Sequence, residues 1–325
     1  MRITKSSIVL GAIGALMAVA TAQAETTLYG SARAAVKYND PDAFDDEDED
    51  DFEGSWDVAA DRVPSPQLGV RGSEDLGNGL SAVYQYEFGV DTTEGGNFVA
   101  NRPKFIGLKG GFGTVTLGVH TTPYYIAVGI VDVFNDNESL NYLQSNGTRR
   151  DNSVFYQTPS LGGLFVDALV RMDGANGDSG IDEWNVTARY GSRSSPLFGA
   201  VTYVSDDAAD TDQWAVAAGY VLGDLAFSAV YQDGDDRDGV DAQTGSVTGA
   251  YTFGNNIMRV GYAHGEADDA EDADFWSVGL QHNFSKRTRI WVEYFRTQSD
   301  ADTVSEAYFG ERDRDLVSIG MRHDF

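Results

Sequence analysis

Trp276-Ser277-Val278-Gly279-Leu280-Gln281-His282-Asn283-Phe284 puts Trp276, Val278, Leu280 and Phe284 on one face, and Ser277, Gly279, Gln281 and Asn283 on the other. A period of two is the spacing of a β-strand with one apolar and one polar side. The pattern recurs along the chain. Leu80, Ala82, Tyr84, Tyr86 and Phe88 alternate with Ser81, Val83, Gln85, Glu87 and Gly89, and Trp214, Val216, Ala218 and Tyr220 form another such face. Val247, Gly249, Tyr251 and Phe253 form a further one, and Val317, Ile319, Met321 and Phe325 the last. After the N-terminal segment no stretch carries a long helical apolar stripe, so the chain reads as all-β.

Alternation alone also fits a soluble sandwich, but two features favour a barrel in a membrane. The apolar faces begin or end on aromatics (Tyr29, Tyr38, Trp184, Tyr190, Trp276, Phe284, Trp291), as girdles at two membrane interfaces require. The opposite face is small and polar, with charges such as Arg33, Lys37 and Glu87. Connections alternate as well. Short turns recur at Gly77-Asn78-Gly79, Gly110 to Gly113, Pro159 to Gly163, Gly191 to Pro196, Gly223-Asp224, Gly254 to Asn256 and Ser285 to Thr288. Between them lie longer acidic stretches such as Asp40 to Asp57, Asp173 to Asp182 and Ser299 to Asp315. About sixteen strands of ~10 residues with such connections fill the chain, which predicts a transmembrane antiparallel β-barrel.

The N-terminus supplies the route to that membrane. Arg2 and Lys5 precede an apolar run from Ile8 to Ala20, and Ala22-Gln23-Ala24 has the form of a cleavage site. The run is too short for a spanning helix, so 1–24 reads as a secretory signal peptide and 25–325 as the barrel domain. The 325 residues contain no Cys, which excludes disulfides, thiolate metal sites and a lipidated cysteine. Without Arg2 and Lys5 the formal net charge of −28 becomes −30, which repels nucleic acid.

One insertion breaks the pattern of hydrophilic loops. Thr121 to Gly147 has weak strand character and carries Tyr124, Tyr125, Ile126, Val131, Val133, Phe134 and Leu140 beside Asp132, Asp136 and Glu138. Long insertions in compact domains are usually functional. The apolar anchors predict that this third long loop folds inward and packs inside the barrel.

Several runs resemble the trimeric general porins of Gram-negative outer membranes, and the branch of β-proteobacteria and Neisseria-like organisms more than the enteric branch. They are Leu28-Tyr29-Gly30, the stretch Leu68-Gly69-Val70-Arg71-Gly72-Ser73-Glu74-Asp75-Leu76-Gly77-Asn78-Gly79-Leu80, Phe105 to Gly113, Asn152 to Tyr156, and Gly320-Met321-Arg322-His323-Asp324-Phe325. The resemblance implies a homotrimer in outer-membrane lipid and lipopolysaccharide, passing ions and small hydrophilic solutes. It implies a pore constriction in which Asp132 and Asp136 on the third loop face Arg71, Arg102 and Arg149 on the wall. Arg33, Lys104 and Glu138 join them as further pore-lining positions, and Gln67 stands where enteric relatives carry a basic residue. Phe325 falls at the terminal aromatic that the barrel assembly machinery reads. The acidic loops add an expectation of cation preference, because carboxylates at a pore mouth concentrate cations.

Catalytic and cofactor readings find little. His120, His264, His282 and His323 are scattered singly, and Gly177-Asp178-Ser179-Gly180 lacks the last glycine of the serine-protease motif. Asp233 to Gly239 hints at a calcium loop, but Arg237 occupies a ligand position. The chain therefore reads as a channel without enzyme activity, metal or cofactor. The remaining alternatives are a substrate-specific channel, which needs an inward aromatic ladder that the sequence does not display, and a barrel whose loops act as adhesin or receptor.

Overall fold

A strand with one apolar face needs two environments. Curling the sheet into a ring provides both and leaves no unpaired edge. The computed structural model describes residues 25–41, 54–60, 66–95, 98–99, 101–136, 148–174, 180–192, 194–207, 209–235, 240–268, 271–299 and 314–325. The expected signal peptide, the acidic run Asp45 to Glu53, and Glu138 lie outside them.

The strand segments are β1 (Glu25–Pro41), β2 (Ser55–Ala59), β3 (Gln67–Gly77), β4 (Leu80–Gly89), β5 (Lys104–Gly110) and β6 (Gly113–Thr121). They continue as β7 (Arg149–Gln157), β8 (Leu164–Arg171), β9 (Glu183–Tyr190), β10 (Leu197–Asp206), β11 (Thr211–Leu222) and β12 (Leu225–Asp235). The last are β13 (Asp241–Phe253), β14 (Asn256–Ala267), β15 (Ala273–Asn283), β16 (Thr288–Ser299) and β17 (Arg314–Asp324). β2 and β3 pair with successive halves of the same edge of β1, so the 17 segments make sixteen staves. Each stave is antiparallel to the next. The ring closes between β1 and β17, from Ser31 opposite Asp324 to Pro41 opposite Arg314. Phe325 and Gly30 complete the seam with paired backbone bonds of 3.0 and 2.9 Å.

Side chains sort by phase. Val36, Ile106, Leu117, Val216, Val260, Val278 and Ile319 face outward and are exposed, whereas Thr187, Thr202, Gln213, Gln232, Thr244 and Ser318 face inward and are buried. An apolar exterior with a polar interior is the arrangement of a membrane barrel. Near the long-loop end, outward aromatics pair across strands, with ring centroids of Tyr38 and Trp56 5.0 Å apart, Trp184 and Tyr203 5.0 Å, and Tyr262 and Trp276 4.5 Å.

Two aromatics expected in the girdle face inward instead. Tyr29 donates its hydroxyl to Glu87 at 2.8 Å, and Trp291 is 1% exposed on the inner wall. Trp291 lies directly opposite Gly320, where a Cβ would overlap the indole. The absent side chain is what lets a large ring lie flat against the wall. Lys104 corrects a third expectation: it sits opposite Tyr86 and places its ammonium 5.2 Å from the Phe88 ring centre, on the outer face. Directly opposed residues share a face, and Tyr86 faces out.

All seven short turns fall where the sequence puts them. Gly77–Leu80, Gly110–Gly113, Leu222–Leu225 and Phe253–Asn256 are two-residue hairpins. In the first, Gly77, Asn78 and Gly79 all have positive φ (85°, 53° and 74°), which glycine and asparagine adopt at least cost. By the usual polarity of such barrels this end is periplasmic and the long loops are extracellular.

Gly320→Val should strain the wall by about 1–3 kcal/mol, the usual cost of overpacking, and lower the temperature at which the folded band disappears in semi-native electrophoresis. Deleting Phe325 should reduce the folded fraction more, because it opens the seam. An unchanged folded fraction in the truncated chain would show that the seam closes without it.

Candidate pore constriction

After β6 the chain turns into the lumen. Thr122 caps a short helix, α1 (Pro123–Val128), by accepting Tyr125 N–H at 3.2 Å, and Pro123 begins it, where its missing N–H costs nothing. A 3-10 turn follows (Gly129–Val131). Tyr124, Ala127, Val128, Val131 and Phe134 are buried against inward residues of the wall, among them Phe198, Ala200, Ala215, Ala217 and Ala263. Burial of each large apolar side chain contributes about 1.5–3 kcal/mol. The wall makes room with small residues: a Cβ on Gly279 would crowd Phe134, and one on Gly219 would meet Ile130.

Polar contacts fix the backbone of this loop along half the ring. Tyr124 N–H donates to Asn185 on β9 at 3.1 Å, and Ser228 on β12 donates to the Ile130 carbonyl at 3.2 Å. At the far end Glu293 on β16 accepts both the Asn135 and Asp136 N–H groups, at 2.8 Å each, together with the Asn135 amide at 2.9 Å. Asp136 is wholly buried. Arg33 and Lys37 on β1 pair with it, the latter at 3.5 Å, Ser318 donates to it, and Trp291 donates at 3.3 Å. Arg33 also stacks on Trp291, 5.1 Å from the ring centre. Arg259 stands 3.8 Å from Glu293.

A second charged group lines the β1–β7 arc. Arg102 donates to Gln67 at 2.7 Å and stands 3.2 Å from Glu87, which also accepts the Tyr29 hydroxyl. Arg71 is exposed on the lumen side and lies 4.9 Å from the centre of the Tyr29 ring. Arg149 is close enough to repel Arg102, and both lie near Tyr125 of α1. Among the described residues Arg149 has no carboxylate at ion-pair distance; it donates to the Thr148 hydroxyl at 3.2 Å.

The structure thus brings Arg71, Arg102, Arg149 and Gln67 to one arc and separates the two loop acids from each other. Asp132, partly exposed, interacts with Arg259 on β14. In a ring of sixteen, β14 lies eight staves from β6, midway between the arginines that flank β5 and β7. Asp132 therefore opposes the arginine arc, whereas Asp136 sits at the β1–β17 seam with Arg33 and Lys37. Sequence reading did not find Glu293, Arg259, Trp291 or Ser318. The alternating inward phase of β14, β16 and β17 marks these positions, but nothing local says that a loop reaches them. One further feature is an inward stack of Phe105, His120 and Phe155, with centroids 4.9 and 5.3 Å apart. It spans three adjacent strands at one height and does not run along the pore as a slide for a specific substrate would.

Comparison with known proteins agrees with this architecture. The sequence profile of Gram-negative porins matches residues 10–302. The major outer membrane protein P.IB of Neisseria gonorrhoeae is 31% identical over 183 residues, covering 54% of this chain and 51% of that protein. The chain thus spans about half the length of the curated relatives it matches. Among solved structures, an anion-selective porin from Comamonas acidovorans is similar with a TM-score of 0.74 and 20% identity, over 93% of this chain and 100% of that one. A trimer form of OmpT from Vibrio cholerae is similar with a TM-score of 0.66 and 18% identity, over 93% and 99%. At these identities the two structures speak for the fold.

Glu293→Ala removes the acceptor for Asn135 and Asp136 and takes the nearest carboxylate from Arg259, which keeps its hydrogen bond to Gln281 at 2.9 Å. The end of the loop should then detach while the strand network stays intact. Single-channel recordings should show added current noise and a higher mean conductance than wild type, with little loss of thermal stability. A quiet, unchanged conductance would mean that the apolar anchors alone hold the loop.

Proposed function

The chain belongs to the Gram-negative porin family, and from that membership we propose that it is a general diffusion channel for ions and small hydrophilic solutes across the outer membrane. The observation that carries this reading is the loop over 122–136, laid against half of a polar inner wall, so that the barrel is narrowed from within and lined by charge. Diffusion through such a passage needs no reacting group. The trimer form recorded for the Vibrio protein supports a homotrimeric assembly. A chain assembled in this way migrates as a heat-modifiable oligomer from outer-membrane fractions.

Selectivity follows from two opposed sets of charge. Asp and Glu number 51 against 23 Lys and Arg, and many of the acids lie in the long loops. Asp91, in the loop after β4, accepts N–H bonds from Thr93 at 2.7 Å and Glu94 at 3.0 Å, which hold its carboxyl below the ordinary range and keep it ionised. Against these mouth charges stand Arg71, Arg102 and Arg149. Arg102 is offset by Glu87, and Asp132 opposes the arc. The Debye length is about 10 Å at 0.1 M salt and about 3 Å at 1 M. Mouth carboxylates therefore act over the pore entrance in dilute salt and are screened in concentrated salt, which makes the channel cation-preferring when salt is low.

Reversal potentials across KCl gradients should show clear K⁺ preference near ~0.1 M, shrinking towards neutrality near ~1 M. An anion preference in dilute salt would show that the arginine arc dominates. At the higher concentration Arg149→Ala should shift the potential towards cations and Asp132→Asn towards anions. Asp136→Asn should shift it less than Asp132→Asn, since its charge is already matched by Arg33 and Lys37. Equal shifts from the two aspartates would remove the distinction between them.

A further inference from the structure

Above the outward Tyr262–Trp276 pair, at the extracellular rim, stands a cluster outside the pore. His264 and Glu266 are two residues apart on β14 and share its outer face, and Asp274 on β15 lies opposite His264. Asp272, in the connection between the two strands, completes the group: one ligand atom from each of His264, Glu266 and Asp272 lies within 4.8 Å of the others.

The hydrogen bonds give the imidazole a direction. His264 Nδ1 is 2.9 Å from Asp274 Oδ1, the oxygen that also accepts the Tyr262 hydroxyl at 2.6 Å. A carboxylate accepts and does not donate, so Nδ1 carries a proton, and Nε2, which points away from Asp274, is the nitrogen left to bind an ion. That nitrogen is 3.2 Å from Glu266 Oε1. Nε2–H of the charged ring donates to that oxygen, and where the proton is absent a divalent cation between the two atoms binds both. Ligands about 2.0–2.2 Å from a tetrahedral zinc ion are separated from each other by about 3.3–3.5 Å, close to the His264–Glu266 spacing. A ring whose second nitrogen is held by a carboxylate is also the usual outer support of a metal-bound histidine.

We propose that His264, Glu266 and Asp272 form a surface site for a divalent transition ion of the zinc class, with Asp274 holding the imidazole in the binding tautomer. The imidazole sets this site apart from the acidic loops, whose oxygen-only ligands suit magnesium and calcium. Three protein ligands leave a coordination position open. Water or a lipid phosphate oxygen would fill it. Two ligands come from a strand and one from the following connection, so a bound ion ties that connection to the rim.

The test uses the folded full chain in detergent, titrated calorimetrically with Zn²⁺ in a large excess of Mg²⁺ that occupies carboxylate-only sites. One Zn²⁺ per chain is expected. His264→Ala should weaken it at least tenfold, and Asp274→Asn by about 10–100-fold, the usual effect of removing such an outer support. Asp233→Asn, at an outward aspartate that accepts the Trp214 indole N–H at 2.9 Å and has no histidine opposite it, should leave it unchanged, and heat-modifiable migration checks that every variant is folded. Absence of Zn²⁺ binding under excess Mg²⁺, or equal binding by wild type and His264→Ala, would overturn the site.

Discussion

The whole structure depends on the seam where the first stave meets the last. Inside a bilayer an unpaired backbone N–H or C=O has no water to turn to, so a sheet that spans it has to close. β1 and β17 meet this demand over eleven opposed residue pairs, and the terminal Phe325 extends the pairing to Gly30. Closure fixes which residues face in. With the ring complete, Arg33, Lys37 and Ser318 project into the lumen at one place, and Trp291 and Glu293 arrive beside them from β16. The anchor for the loop is therefore built by the same seam that completes the barrel.

That anchor divides the charged residues of the lumen into two kinds. Arg33, Lys37 and Arg259 are held by Asp136 and Glu293, and what they contribute is position. Arg71, Arg149 and Asp132 keep contact with the lumen, and what they contribute is field. Arg102 lies between the two, buried beside Glu87 yet close enough to repel Arg149. Equal formal charges thus play unequal parts, and the difference comes from burial and from the nearness of an opposite charge, not from residue type.

The barrel was legible in the sequence because its signals are local. Alternation at Trp276 to Phe284, the glycines of Gly77-Asn78-Gly79 and the acidic spacers each report on a strand or turn without reference to its neighbours. Phase was legible wherever the alternation is clean. It misled at Tyr29 and Trp291, where an aromatic near a strand end suggested the girdle although the phase of the strand turns it inward. It also misled at Lys104, which follows an irregular stretch that hides the parity. The path of the inserted loop was legible only as a tendency to pack inside, through Tyr124, Val131 and Phe134. Its destination was not, because the receiving residues are scattered from Asn185 to Ser318 and are brought together only by closure. Their trace in the sequence is a scatter of small inward residues, Ala200, Ala215, Ala217, Ala263 and Gly279, which reads as weak packing until the loop is seen to occupy the space.

The spread of those attachments has a mechanical consequence. A thin-walled hoop resists stretching along its circumference but ovalises easily under sideways pressure. Here a strut of backbone is riveted to the inside of the hoop at Asn185, Ser228 and Glu293, almost half a turn from first to last. Flattening the cross-section would change the curvature along that arc and shear the rivets against one another. The inserted loop therefore stiffens the cylinder that contains it, and the bore keeps its shape when the surrounding lipid presses unevenly.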